Sequence, residues 1–555
     1  MILRGVIFIK NTVILTLTSL ILRTVGMIFK VWVSARVGAE GVGLYQLITS
    51  VYIFAATFAS TGICTGVTKL ISEQSGLTAA GASQILKKSA VLTVAASAAI
   101  GSAVYFSANF IAARLLMDIR ASLSLKILCF SLPFKGTAAC IKGYFYARRK
   151  SGSPAVSQLF EQAVRIGVIV FFVGSFAGMG LNMAVAAILI GDTVSEAASF
   201  IYLYIAFLRD KKTLPSKGGL PKGVYRGLIG VALPTAGSKY VTSGLHTAES
   251  LIVPSQLTLF TFSRSESVAQ YGMLKGMALP LLFFPAAFLG AASIMLMPEV
   301  AEAAAKGQER KVRETVSKSI DTTLVISIFL AAVFFTNSDL LGRLFFGSKE
   351  VGCMIRILAP IVPFMYLESV ADGMLKGLGL QNYSFMYNVS DSVIRIALVM
   401  ILVRRYGMTG FLGVMIISNC TTSTLNVRRL LKSSNTPLNV KNGIIKPLAA
   451  AAAGSVAASF AVSGTGIDGW RGLVAAVIIQ GASFAAVMLV TGGINGAAVF
   501  NAAAEAIYLA KKKYSRSRND RRVCAEAKSS RTGAKRSRAD TEKGGAGADR
   551  RKRAG

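Results

Sequence analysis

Charged side chains recur inside the long apolar runs of this chain. In the first run, Arg23 and Lys30 are seven residues apart, which places them on one face of a helix, and no acidic residue accompanies them. A charge in hydrocarbon costs a few kcal/mol or more, so such a residue faces a cavity or a partner. The pattern therefore favours a cationic lining for an anionic ligand. The alternative is that the side chains reach the membrane surface by snorkelling.

A polar stripe follows Pro234 in a later apolar run. Lys239, Thr242, His246 and Glu249 lie at positions i, i+3, i+7 and i+10, which is one side of a helix. The stripe predicts either the wall of a cavity or a hydrogen-bonded seam between helices. A proton-coupling role for His246 stays open beside both interpretations.

Two acidic rows lie within predicted membrane spans. Each has carboxylates four residues apart: Asp192 with Glu196, and Glu368 with Asp372, the latter followed by Lys376. Buried acids of this kind predict a site for a coupling cation or a proton. The alternative is that they pair with lysines of neighbouring spans, namely Lys135, Lys142 or Lys275.

Two further acid–base pairs have the spacing i, i+4, Glu161 with Arg165 and Asp391 with Arg395. Pairing neutralises both charges, so we predict structural ion pairs. No metal or cofactor site is expected: the chain has one histidine, and none of its six cysteines forms a C-x-x-C pair. Nucleotide-binding loops and metalloprotease signatures are also missing from the sequence, which argues against an enzyme.

Composition identifies the elements that must position these charges. Of 555 residues, 16% are charged and 53% are hydrophobic, whereas about 25% are charged in soluble domains. About fourteen apolar runs of roughly 20 residues recur, each long enough to cross a bilayer, and among them are the predicted spans 11–33, 45–66, 384–403 and 408–427. The sequence thus predicts an all-α polytopic membrane protein. It excludes a soluble multidomain enzyme, a secreted disulfide scaffold and a β-barrel.

The distribution of basic residues predicts the orientation. If the N-terminus is cytoplasmic, the inner connecting segments carry 25 Lys/Arg and the outer ones carry 9. Cytoplasmic loops of membrane proteins are enriched in Lys and Arg. We therefore expect a multi-pass protein of the cell membrane with both termini cytoplasmic, Arg404 and Arg405 being a local exception.

An internal repeat relates two parts of the chain. A shift of 230 residues places Pro133-Phe134 on Pro363-Phe364 and Arg165-Ile166 on Arg395-Ile396. Both copies begin inside, so the repeat is parallel, as in secondary transporters whose substrate site lies between the halves. The predicted regions are a first six-helix lobe (1–210), a cytoplasmic linker (211–222), a second six-helix lobe (223–432), two added helices (443–495), a short amphipathic helix (496–510) and a basic tail (511–555).

The tail differs from the rest of the chain. Residues 511–555 contain 17 Lys/Arg and 5 Asp/Glu among Ser and Gly, a composition that cannot bury a core, so we predict disorder. Anionic lipid of the inner leaflet is its expected partner, since each basic residue near the surface contributes about 1 kcal/mol. Nucleic-acid binding is not expected.

Three segments carry a resemblance to a known family. Residues 18–47, 233–257 and 271–303 resemble the stage V sporulation protein B family, which belongs with the MurJ-type lipid II flippases in the multidrug/oligosaccharidyl-lipid/polysaccharide exporter superfamily. The similarity runs from about residue 5 to 510. It implies fourteen helices, two six-helix lobes and a V-shaped central cavity. Arg23-x-x-Gly26 resembles the cationic motif of MurJ-type first helices. Such proteins also carry an arginine just before a Phe-Pro pair. Here the only cation near Phe284-Pro285 is Lys275, about ten residues earlier.

The resemblance implies a flippase with alternating access. Its substrate would be a polyprenyl-diphosphate-linked oligosaccharide, a lipid II-like peptidoglycan precursor for the spore cortex, moved from the inner to the outer leaflet. Two alternatives remain, a cation-coupled multidrug exporter of the same superfamily and a non-transporting scaffold of the envelope-synthesis machinery. The expected substrate-binding residues are Arg23, Lys30, Lys239 and Lys275; the expected coupling or cavity residues are His246, Glu249, Glu368, Asp372, Asp192 and Glu196.

Overall fold

Helices account for nearly the whole described chain. The computed structural model describes residues 2–73, 78–176, 180–215, 224–465 and 469–492, and no residue in these ranges lies in a strand. The predicted amphipathic helix 496–510, the basic tail and residues 216–222 of the predicted linker lie outside the described residues. Residues 1–484 form one compact unit. The second unit covers residues 485–555, and its described residues are the end of the last helix and a turn.

The helices of the first half (residues 1–210) have simple boundaries. Thr78 caps the helix that begins at Ala79. Its Oγ1 accepts a hydrogen bond from the Gly81 N–H at 3.1 Å, which satisfies a free donor of the first turn. Five π-helical residues, 111–115, extend that helix. The helices are α1 (Ile2–Ser60), α2 (Ile63–Glu73), α3 (Ala79–Phe110), α4 (Ala121–Cys129), α5 (Leu132–Ala147), α6 (Gly152–Phe176) and α7 (Leu181–Lys211).

The second half (residues 223–432) and the added helices are more often interrupted. π-helical segments cover Met273–Ala278, Val399–Val403 and Lys441–Ile445. The helices are α8 (Val224–Thr261), α9 (Arg264–Gly272), α10 (Leu279–Phe283), α11 (Ala286–Ala305), α12 (Glu309–Thr336), α13 (Ser338–Phe346), α14 (Lys349–Leu358), α15 (Val362–Gly377), α16 (Gln381–Leu398), α17 (Arg404–Ser433), α18 (Lys446–Thr465) and α19 (Gly469–Val490).

Two of the predicted loops are single-residue kinks between consecutive helical segments. The predicted spans 11–33 and 45–66 are joined through α1, which bends at Gly38 (φ 69°). The spans 384–403 and 408–427 are joined through a bend at Gly407 (φ 59°). Only glycine adopts such positive φ without steric cost, so one residue replaces a loop.

The described helices contain ten segments that are long and apolar enough to cross a membrane. Two of them, Ile14–Glu73 and Gln381–Ser433, measure 60 and 53 residues and contain the kinks at Gly38 and Gly407. Large apolar side chains such as Phe106 and Phe171 are exposed, as expected for a surface that faces lipid. The chain is therefore a multi-pass membrane protein, and the number fourteen stays a prediction.

The two halves contact each other along α1. Its later part packs on α8, where the rings of Phe58 and Tyr240 stack with centroids 4.3 Å apart and the Thr247 hydroxyl donates to the Ser50 carbonyl at 3.2 Å. Nearer to Gly38 it packs on α9 through glycines. A Cβ on Gly43 would lie 2.0 Å from the Val268 carbonyl oxygen. Cavities remain between the helices on either side of these contacts.

Candidate functional site

A cavity of about 150 Å³ in the first half contains a dense charge cluster. Lys30, Tyr45, Arg165 and Asp192 are among its lining residues. The Arg165 guanidinium lies 2.9 Å from Glu161 and 2.9 Å from Asp192, and the Tyr45 hydroxyl donates to Asp192 at 3.1 Å. Arg165 is thus held between two carboxylates, whereas no carboxylate of the described residues lies within 4.0 Å of Lys30.

Glu196 lies one helical turn beyond Asp192 on α7. Its carboxylate is 3.0 Å from the Lys135 ammonium, which also lies over the Tyr52 ring at 5.0 Å. Tyr52 in turn accepts a bond from the Ser131 hydroxyl at 2.7 Å. Neither Lys135 nor Glu196 lines the cavities described here. Glu196 is thus paired with Lys135 in this structure, and its role in coupling stays a prediction.

A second cavity, of about 570 Å³, lies between α1 and α8. Lys239, His246 and Lys275 line it together with hydroxyl groups of both helices. Lys275 belongs to the π-helical turn Met273–Ala278, a type of helix defect that is frequent at functional sites. Within the described ranges Lys239 has no carboxylate within 4.0 Å, so its charge faces the cavity unpaired.

Glu249 is the buried centre of a charge cluster beside this cavity. Its carboxylate is 3.4 Å from Lys275, 3.2 Å from Arg395 and 3.9 Å from His246. Arg395 is 3.8 Å from Asp391, the carboxylate four residues earlier. One carboxylate of α8 thus serves cations from two other segments of the second half.

The cavity on the other side of Glu249 has a volume of about 290 Å³. Thr242 and His246 line it as well as the second cavity, and Glu368, Asp391 and Arg395 complete its charged lining. Ser418 donates to both oxygens of Asp391, at 2.7 and 2.8 Å. Glu368, in contrast, has no cation within 4.0 Å among the described residues, which leaves it the free acid of this cavity.

Arg23 faces a separate, larger cavity. This cavity of about 800 Å³ lies between α1, α11 and α15, and Asp372 and Lys376 line its opposite wall. Asp372 is engaged by Lys376 at 2.5 Å and by the Ser384 hydroxyl at 2.6 Å. Among the described residues no carboxylate lies within 4.0 Å of Arg23, so the cavity has a free cation on one side and an ion pair on the other.

The four predicted substrate-binding cations do not converge on one pocket. Lys239 and Lys275 share a cavity, Lys30 lines the small first-half cavity, and Arg23 lines the large one. Helical spacing predicts which residues share a face, but not which cavity that face lines.

Some residues of these sites were not anticipated. Gln46 lines both the first-half cavity and the 570 Å³ cavity, and Tyr45 binds Asp192 beside it. Both are uncharged, so neither stands out in an apolar run. In the part of the chain that the structure describes, no group of three His, Cys, Asp or Glu residues could hold a metal ion.

Comparison with known proteins shows which families and folds this chain resembles. The family described as "Polysaccharide biosynthesis protein" matches residues 8–258, and the MatE family matches residues 262–401. The solved structure of "Lipid II flippase MurJ, inward closed conformation" superimposes with a TM-score of 0.63 at 13% identity, over 88% of this chain and 99% of that one. The chain thus combines a region similar to polysaccharide biosynthesis proteins with a region similar to MatE proteins, and it has the fold of the MurJ structure.

Relatives with names of their own are also similar in sequence. The chain is 26% identical to stage V sporulation protein B of Bacillus subtilis (strain 168) over 412 residues, which is 72% of this chain and 78% of the relative. It is 22% identical to the lipid II flippase MurJ of the same organism over 419 residues, or 70% of this chain and 76% of the relative. The resemblance seen in the sequence is therefore confirmed.

Proposed function

We propose that this protein flips a polyprenyl-diphosphate-linked oligosaccharide, of the lipid II type, from the inner to the outer leaflet. The observation that carries the proposal is the presence of three cations, Arg23, Lys30 and Lys239, that line cavities and have no carboxylate within 4.0 Å among the described residues. An unpaired cation within a membrane protein is expensive unless an anion visits it. A diphosphate supplies such an anion, and charge-assisted bonds offset the loss of its hydration.

Because the cations lie in different cavities, we propose that they act in succession. The headgroup first meets one unpaired cation and passes to the next as the halves move, with no catalytic chemistry at any step. The names of the relatives, lipid II flippase and stage V sporulation protein B, support a cell-wall precursor and a role in spore cortex formation. In the proposed orientation both termini are cytoplasmic, residues 1–210 and 223–432 are the two moving lobes, and the tail holds anionic lipid.

Glu368 supports a coupling role within the same function. It is an acid without a cationic partner in the described structure, and it faces the cavity that Asp391 and Arg395 also line. We propose that a proton or a monovalent cation visits this carboxylate during transport. The same feature would serve a cation-coupled multidrug exporter, the second candidate, which the MatE match favours.

Reconstitution separates these functions. Proteoliposomes would receive fluorescent lipid II, a neutral short-chain lipid analogue or a cationic dye, and leaflet exchange or efflux would be followed for each. The flippase proposal expects exchange of lipid II alone, with a loss of at least tenfold in Arg23→Gln, Lys30→Gln or Lys239→Gln. Lys126→Gln is the matched control, because Lys126 is an intramembrane cation that lies over the Tyr105 ring and lines none of the cavities described. Transport of the dye without exchange of lipid II would replace the proposal by the exporter.

A further inference from the structure

Glu249 and its two cations form a cluster that ordinary structural pairing does not explain. The carboxylate is almost fully buried, with 4% of the side chain exposed, and it lies between Lys275 and Arg395. The two cations face different cavities, Lys275 the one of about 570 Å³ and Arg395 the one of about 290 Å³. Glu249 lines neither cavity. The acid thus stands behind two cations that a ligand can reach.

The contacts of this cluster are loose in comparison with those of the first half. Distances from Glu249 to Lys275 and Arg395 are 3.4 and 3.2 Å, whereas Lys135 lies 3.0 Å from Glu196. Like the Nε of Arg165, the Nε of Arg395 is buried and has no hydrogen-bond acceptor among the described residues. Charge-assisted bonds of this type are usually 2.7–2.9 Å long. The cations therefore retain capacity for a better acceptor.

We propose that Glu249 is an internal substitute for the substrate anion. It holds Lys275 and Arg395 while the cavities contain no substrate, and it releases them to the diphosphate when the substrate arrives. This inference rests on the proposed function. Glu249 is then a positioning residue that allows the cations to bind and release the substrate diphosphate repeatedly.

Two physical arguments support the exchange. Without an anion, two cations so close together in a low-dielectric region would repel each other and destabilise the fold. A permanent, tight ion pair with Glu249, in contrast, would keep the two cations from binding the substrate. A diphosphate carries more negative charge than one carboxylate and offers oxygens that suit the planar fork of arginine, so it can displace a carboxylate held at more than 3 Å. When the substrate leaves, Glu249 takes both cations again.

Glu249 is also suited to this role by its position. It lies on α8, and its partners lie on the π-helical turn Met273–Ala278 and on α16, so its carboxylate joins three segments of the second half. Displacement of the carboxylate would loosen α8 from the other two. Binding of the anion would then be linked to a movement of these helices, which is a requirement of alternating access.

The test uses the full-length protein in detergent, with inorganic pyrophosphate as the probe and the thermal unfolding midpoint as the readout. A ligand that binds only the folded state stabilises it by RT ln(1 + [L]/Kd), so the rise of the midpoint with ligand concentration yields the half-saturating concentration, Kd. Glu249→Gln should lower the half-saturating concentration of pyrophosphate by about tenfold, because the competing carboxylate is gone. Glu196→Gln is the matched control, a buried partner of a lysine outside these cavities, and should leave that concentration unchanged.

Flipping of fluorescent lipid II should respond in a way that a purely structural role would not produce. Glu249→Gln should lower KM and kcat together, because the diphosphate is bound more tightly and released more slowly. If Glu249→Gln does not accumulate, Glu249→Asp provides the same test. The shorter aspartate side chain holds the cations less well, so this variant should lower the half-saturating concentration of pyrophosphate about threefold.

Three outcomes would overturn the inference. The first is an unchanged or higher half-saturating concentration of pyrophosphate in the folded Glu249 variants, while the unmodified protein binds pyrophosphate and flips lipid II. This result would refute the exchange and leave the proposed function intact. If the unmodified protein neither responds to pyrophosphate nor flips lipid II, both fail together. A thermal shift with phosphatidylglycerol micelles and none with pyrophosphate would assign the cations to membrane lipid instead.

Discussion

The Arg165 cluster permits a quantitative prediction about stability. Arg165→Ala would leave Glu161 and Asp192 without their cation, since both lie 2.9 Å from the guanidinium. Removal of one partner from a buried pair costs 3–5 kcal/mol, and about 3 kcal/mol is expected here because Arg165 retains 26% exposure. At 1.4 kcal/mol for each factor of ten, the ratio of folded to unfolded protein falls roughly 150-fold.

The double variant Glu161→Gln with Arg165→Gln should recover only part of this loss. It removes one carboxylate, but of the contacts described for Asp192 only the hydrogen bond from Tyr45 at 3.1 Å is left. Adding Asp192→Asn removes the last unpaired charge of the cluster and should restore most of the stability. The predicted stability therefore rises from Arg165→Ala through the double variant to the triple variant.

Immunoblots of membrane fractions and thermal unfolding of the purified protein in detergent would measure this order. The reasoning is refuted if Arg165→Ala accumulates normally and unfolds at the same temperature as the unmodified protein. A normally stable but inactive Arg165→Ala would instead give Arg165 a role in substrate binding, together with Lys30 in the same cavity. A double variant as stable as the triple one would mean that Asp192 needs no cation.

Three further predictions follow from the topology, the unpaired Arg23 of α1 and the contact between the halves. In a background without native cysteines, Lys212→Cys should resist an impermeant maleimide in intact cells while Ser265→Cys reacts, and the reverse pattern would contradict the proposed orientation. Arg23→Ala should abolish complementation of a flippase-deficient strain at near-normal abundance, with Arg23→Lys partly active because lysine lacks the planar fork; full complementation by Arg23→Ala would end the diphosphate proposal for this residue. Gly43→Ala should lower the stability of this conformation by about 1–3 kcal/mol, because the new Cβ meets the backbone carbonyl of Val268, which cannot move aside as a side chain would. An unchanged unfolding midpoint in detergent would show that α1 and α9 separate without cost.

Much of the architecture could be read from the chain because it depends on local properties. Apolar runs of membrane length predict spans wherever they occur, and the described helices follow them. The i, i+4 spacing predicts that Glu161 and Arg165 can meet, because residues four apart share a helix face. What spacing could not predict is where a helix turns. Gly38 and Gly407 replace whole loops, since a single residue with positive φ redirects the chain between two helical segments.

The roles of the charges were decided by the tertiary structure. Arg165 has a second carboxylate, Asp192, on another helix, and Glu249 holds Arg395, which is 146 residues away. The sequence contains all these charges and shows that each is costly in a membrane, so it determined that they must find partners or face cavities. Which acid serves which base depends on distances of 3–4 Å between helices far apart in the chain. No local periodicity encodes such distances, because they follow from how every helix packs against all the others.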